Sequence, residues 1–152
     1  MGTARPKDTI LFTKGKTWWS NLICEILQEP LSHVAVLRNG SVYHSDLLGV
    51  RKESEAVYMA RQEKVIKVDV KYITDLEEKY EEHKHSWYDF GGMLFLGLSF
   101  LARRYLKIPL PKSNLWQASG MFICTEWVTK TLGKVNSLIT PWGLYKQTSK
   151  EK

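Results

Sequence analysis

The chain has 152 residues, enough to bury the core of one domain and too few for two. Its 43% hydrophobic and 25% charged content is ordinary for a soluble domain, and six tryptophans exceed what packing alone needs, so some are expected to line a cleft. The net charge of +6 favours anionic partners, but lysine and arginine are scattered along the chain, and nucleic-acid binding is not expected.

The N-terminal "MGTARPKDT" has no apolar h-region, which predicts no signal peptide and a cytoplasmic location. Pro6 stands where a myristoylation motif needs Ser or Thr. "DTILF", Asp8 to Phe12, predicts a buried strand. A helix is expected over Trp18 to Leu27, with Ile23, Ile26 and Leu27 on one side and Pro30 as its stop. Cys24 then packs as a small hydrophobe, and a lone Cys24–Cys124 bridge is not expected in a chain with an ordinary apolar core. Ser32 to Asp46 is the clearest hairpin, two β-branched runs about Asn39-Gly40, the pair suited to a type I′ turn.

Lys64 to Val70 alternates as a strand with one wet face, and the acidic run Thr74 to Glu82 predicts an exposed helix. His83 and His85 follow in "HKHSW" with no cysteine or carboxylate ligands clustered beside them, so an exposed loop is expected there and no metal. Trp87 to Leu106 predicts a buried or interfacial helix, whose apolar Gly91 to Ala102 core is shorter than the ~20 residues that span a bilayer. Met121 to Leu132 is the expected last helix, with Gly133 as its C′ stop and a solvated "KQTSKEK" tail. With no repeat or linker, residues 1–152 read as one α+β domain.

The hairpin turn dictates a register. Arg38 pairs with Ser41, His33 falls opposite Asp46, and His44 falls opposite Ala35. His33, His44 and Asp46 therefore project from one sheet face, with diagonal neighbours about 7–8 Å apart at the backbone. His33 thus has two candidate orienting partners, His44 and Asp46. A catalytic cysteine needs a base, a group that orients the base, and donors for the oxyanion. Cys124 opens a helix whose dipole and free amides favour a thiolate, and Cys124, Trp127, Val128 and Leu132 share the face that packs on the sheet. On these residues alone Cys124 is either a nucleophile or a buried core residue. Glu126 is read as a structural first-turn carboxylate.

"DTILF", "SHVAVL", "VYHS", "YDFGG" and "FICTEWV", in this order, resemble the circularly permuted NlpC-type papain-like superfamily, which includes YaeF/YiiX-like proteins and lecithin retinol acyltransferase-like enzymes. The resemblance runs from Asp8 to Tyr145 and implies a small antiparallel sheet packed against the helix that carries the cysteine. It implies Cys124 as nucleophile, His33 as base and His44 as the third polar residue, with Asp46 the alternative orienting group. Ile123 and Thr125-Glu126 stand where the acyltransferase-like branch has Asn before the cysteine and Glu-His after it.

Three functional classes follow. The first is a cysteine hydrolase of peptidase or amidase type, opening an amide bond in a peptide or peptidoglycan-like substrate through an acyl-enzyme. The second is a thiol-dependent acyltransferase or lipid hydrolase, for which apolar Gly91–Leu106 with Arg103, Arg104 and Lys107 behind it suits a membrane surface. The third is a non-catalytic binding module. None calls for a cofactor or a metal.

Overall fold

The computed structural model describes residues 7–112, 123–134 and 139–150. Its first strand, β1 (Lys7–Gly15), extends the expected Asp8–Phe12 run at both ends. Ile10, Leu11 and Phe12 are fully buried, which explains a continuous apolar run in place of alternation: β1 is covered on both faces. Helix α1 (Trp18–Leu27) has the expected bounds, with Thr17 accepting from the Ser20 amide as N-cap and Gln28 ending it in the left-handed region. The hairpin forms from β2 (His33–Arg38) and β3 (Ser41–Asp46), and Asn39 and Gly40 both take positive φ, 48° and 74°, as a type I′ turn requires.

Two elements that follow were not expected, β4 (Gly49–Ser54) and α2 (Glu55–Ala60). The run "GVRKES" has little apolar signal because β4 is an edge strand, where charge is tolerated and protects against pairing with another chain. Gly49 adopts φ +95°, and a side chain there would run into the Ser86 carbonyl, so this position needs glycine. Next comes β5 (Gln62–Lys71), then α3 (Leu76–His83), α4 (Phe90–Leu106), α5 (Cys124–Thr131) and α6 (Pro141–Lys150).

The protein is α+β: five antiparallel strands in the order β4-β3-β2-β1-β5, with six helices among the described residues. One sheet face, carrying Ile10, Phe12, Val34, Val36 and Tyr43, is covered by Trp127, Val128 and Leu144 of α5 and α6. The other, carrying Leu11, Ala35 and Val42, is covered by Tyr58 of α2.

A buried ion pair locks β1 to β2. Arg38 donates twice to the fully buried Asp8, at 2.7 and 2.6 Å, and the Ile73 amide donates to Asp8 at 2.7 Å.

Three expectations need correction. The expected tail is exposed at Lys146, Gln147, Ser149 and Lys150, but it is helical: Pro141 starts α6, Thr140 caps it by accepting from Gly143 at 3.0 Å, and Leu144 and Thr148 are buried. The wholly polar run from Lys146 to Lys150 hid a helix that needs only one buried stripe. His83 is not in an exposed loop but buried at the end of α3, its Nδ1 2.8 Å from the Lys79 carbonyl; His85 is exposed. The cysteine helix begins at Cys124 itself, and the expected residues Met121 and Phe122 lie outside the described set.

Helix α4 is capped by Asp89, which accepts from Gly92 at 2.7 Å. Leu96 packs with Tyr88, Ile123, Met93 and Phe100, whereas Phe90, Leu94 and Leu98 are 56%, 57% and 48% exposed. The helix is therefore not all core: an i, i+4, i+8 apolar stripe faces outward. Among the described residues no helix is long and apolar enough to cross a membrane.

Candidate functional site

The expected hairpin register holds for Arg38–Ser41, Leu37–Val42 and Val36–Tyr43, and stops there. Beyond it β2 stays paired with β1 as far as Thr13–His33, while β3 stays paired with β4 as far as Asp46–Gly49. The two strands part, so His33 does not pair with Asp46, nor Ala35 with His44. Ring contacts replace the ladder: His33 Nε2 lies 3.3 Å from His44 Nδ1, edge to face. Both imidazoles pack on Tyr58, at 6.2 and 5.2 Å between centroids, which places them on the α2 face as strand alternation predicts.

Asp46 is turned away from His33. Its Oδ2 pairs with Arg51 at 3.0 Å, its Oδ1 accepts from the Leu48 amide, and it lies 3.9 Å from His44 Nδ1. The second neighbour of His44 is Glu53 of β4, with Oε1 2.8 Å from Nε2, close enough for a hydrogen bond though outside its angular range. The same oxygen accepts from Arg61.

Cys124 reaches this region from the opposite face. Helix α5 packs on β2 and β3 with Trp127 and Val128 inward, and the thiol sits with Val34 and Val36 in the larger core cluster. Had the ladder continued, the Val34 amide would have faced Ser45; instead it is near enough to the Cys124 sulfur to favour the thiolate, as are the amides of Thr125 and Cys124. The parting of β2 from β3 thus exposes a strand amide to the cysteine and leaves the histidines across the strand. Among the described residues no hydrogen bond joins Cys124 to His33. Glu126, as expected, is structural: it accepts from the Ile123 amide at 3.1 Å and closes the first turn of α5.

The electrostatics depart from the expected thiolate. Burial pushes the Cys124 thiol up to about 12, outweighing the three amides that favour the anion, because a desolvated sulfur loses more than a helix N-terminus restores. Burial likewise lowers His33 to about 4, against the opposing pull of Asp46, and lowers His44, with His33, Arg51 and Arg61 adding to the effect. The resting site is a neutral thiol beside two neutral imidazoles.

A pH prediction follows. Between about pH 6.5 and 4 the unfolded chain binds a proton at His33 that the folded chain refuses, so stability is full above 6.5 and declines as pH falls toward 4, by about 3 kcal/mol at most. Urea midpoints at pH 7, 5.5 and 4.5 should fall accordingly, and His33→Gln should shrink that dependence to the part that the likewise lowered His44 contributes.

Two cavities meet here. One, of about 380 Å³, is lined by apolar side chains of α1 and α4, including Leu22, Ile26, Met93 and Phe100, and ends at Cys124. The other, of about 290 Å³, is mixed: it is lined by His33, His44 and Asp46 together with apolar side chains such as Leu47 and Leu48. Trp19, Ile23 and Ser32 line both, so the cavity that Cys124 lines and the one that the imidazoles line share a wall. Of the tryptophans expected to line a cleft, Trp19 does so, whereas Trp127 is core. Both cysteines are free, and among the described residues no group of His, Cys, Asp and Glu could hold a metal.

No family model, curated protein or solved structure matches this chain. Glu53, Tyr58 and the Val34 amide escaped sequence reasoning, since β4 and α2 carry no strong periodic signal and a backbone donor has none.

Proposed function

We propose that the protein is a cysteine hydrolase or acyltransferase of permuted papain-like type, in which Cys124 attacks an acyl carbonyl, His33 accepts its proton and His44 orients His33. The observation that carries this reading is the thiol at a helix N-terminus, lining an apolar cavity that shares a wall with the cavity of a histidine pair. A neutral thiol suits it: proton transfer accompanies attack, and the amides of Val34, Thr125 and Cys124 are donors for the charge that develops.

The amide of a peptide or a peptidoglycan-like substrate and the ester of an acyl lipid use the same chemistry. The cavity favours the second, because among the described residues its lining is apolar apart from Ser32, Thr125, Thr140 and the thiol, few partners for a sugar or peptide that must be desolvated. Phe90, Leu94 and Leu98, half exposed and also lining that cavity, with Arg103 and Arg104 in the last turn of α4, suit docking of the cavity's rim on an anionic membrane surface.

The test is covalent labelling with p-nitrophenyl esters of increasing chain length and with a peptidoglycan-derived muropeptide, the acylated residue being located by mass spectrometry. Octanoyl or longer esters should modify Cys124 faster than acetyl esters do, and should leave Cys24 unmodified. Turnover of the muropeptide together with indifference to chain length would move the assignment to the amide hydrolase. Absence of any adduct at Cys124 would leave a binding module.

A further inference from the structure

The chain of groups behind His33 is longer than the histidine pair. His44 is 1% exposed, with Glu53 2.8 Å from its Nε2 and His33 3.3 Å from its Nδ1. The Glu53 carboxylate, paired with Arg61 and 3.8 Å from Arg51, accepts and does not donate. A bare nitrogen lone pair turned toward that oxygen would be repelled, so Nε2 of His44 carries the proton. A neutral imidazole has only one, which leaves Nδ1 of His44 as an acceptor. The hydrogen between the rings then belongs to His33 Nε2, and the lone pair of His33 is on Nδ1.

We propose that Glu53 is a positioning residue that sets the tautomer of both histidines, holding the His44 proton on Nε2 and so making Nδ1 of His33 the nitrogen that can receive a proton. This rests on the reading of His33 as base. In the attack the Cys124 S–H bond breaks, an N–H bond forms at His33 Nδ1, and sulfur bonds to the acyl carbon; the proton later leaves with the departing alcohol or amine. Glu53 neither gains nor loses a proton. Its carboxylate stands one ring behind His33, as an acid behind a base orients that base in other triads.

Proton positions are visible apart from catalysis. Side-chain ¹⁵N spectra of the ¹⁵N-histidine-labelled full-length protein at pH 7.5 should show Nε2 of both His33 and His44 protonated and both Nδ1 bare. In Glu53→Ala the two rings should move to averaged tautomer shifts, and acylation by p-nitrophenyl octanoate should slow at least about tenfold. Glu53→Gln should keep both the tautomers and most of the rate, because Arg61, only a donor at the same oxygen, holds the amide oxygen inward. Protonation of His44 on Nδ1 in the parent protein would overturn the proposal, whatever the variants do. So would unchanged ring shifts in a folded Glu53→Ala. The expected shifts in a protein that no ester acylates would uphold the tautomer assignment and remove the proposed chemistry.

Discussion

Cys124→Ala should form no adduct with p-nitrophenyl octanoate, and His33→Ala should acylate about 10²–10⁴-fold more slowly than the parent. The size of the second effect comes from the electrostatics. With burial holding the thiol at about 12, almost no thiolate exists at neutral pH, so a base at the moment of attack is indispensable in a way it is not for a cysteine already ionised. His33 is suited to this because it rests neutral, and bond formation at sulfur offsets the cost of charging it. Stopped-flow release of p-nitrophenolate, with intact mass to locate the acyl group, measures both variants. If His33→Ala keeps most of the parent rate, the base is another group and the histidine pair only supports the sheet end.

The largest expected effect on stability lies away from the site. Asp8→Ala should cost about 3–5 kcal/mol, because it leaves the Arg38 guanidinium, 6% exposed, without its bidentate partner and the Ile73 amide without its acceptor. Replacing both, as Asp8→Leu with Arg38→Met, should cost less than Asp8→Ala alone, since no charge is then stranded. Urea unfolding followed by circular dichroism checks the pair. Equal losses in the single and double variants would mean that the cost is packing, not an uncompensated charge.

Local chemistry is legible in the sequence, and so the elements governed by it were found there. Asn39-Gly40 specifies a type I′ turn by its positive φ angles, and the turn specifies the register near it. Helix α1 has the bounds read from its sequence, short of Pro30, and the helix that Cys124 opens was found, though with its start also placed at Met121, and its Trp127 and Val128 meet the sheet. What tertiary structure alone decided concerns groups that owe their state to distant neighbours. Strand β4 exists because β3 offers it a ladder, not because "RKE" favours strand, and with it Glu53 arrives behind His44. Helix α6 exists because the Phe12 side of the sheet needs Leu144 and Tyr145 as cover. The parting of β2 from β3 removes the predicted His33–Asp46 cross-strand pair, keeps the expected His33–His44 contact and leaves the Val34 amide facing the sulfur. The thiol's protonation followed the same rule: a helix N-terminus is a local feature that favours the anion, but desolvation is set by everything packed around Cys124, and at this depth it is the larger of the two.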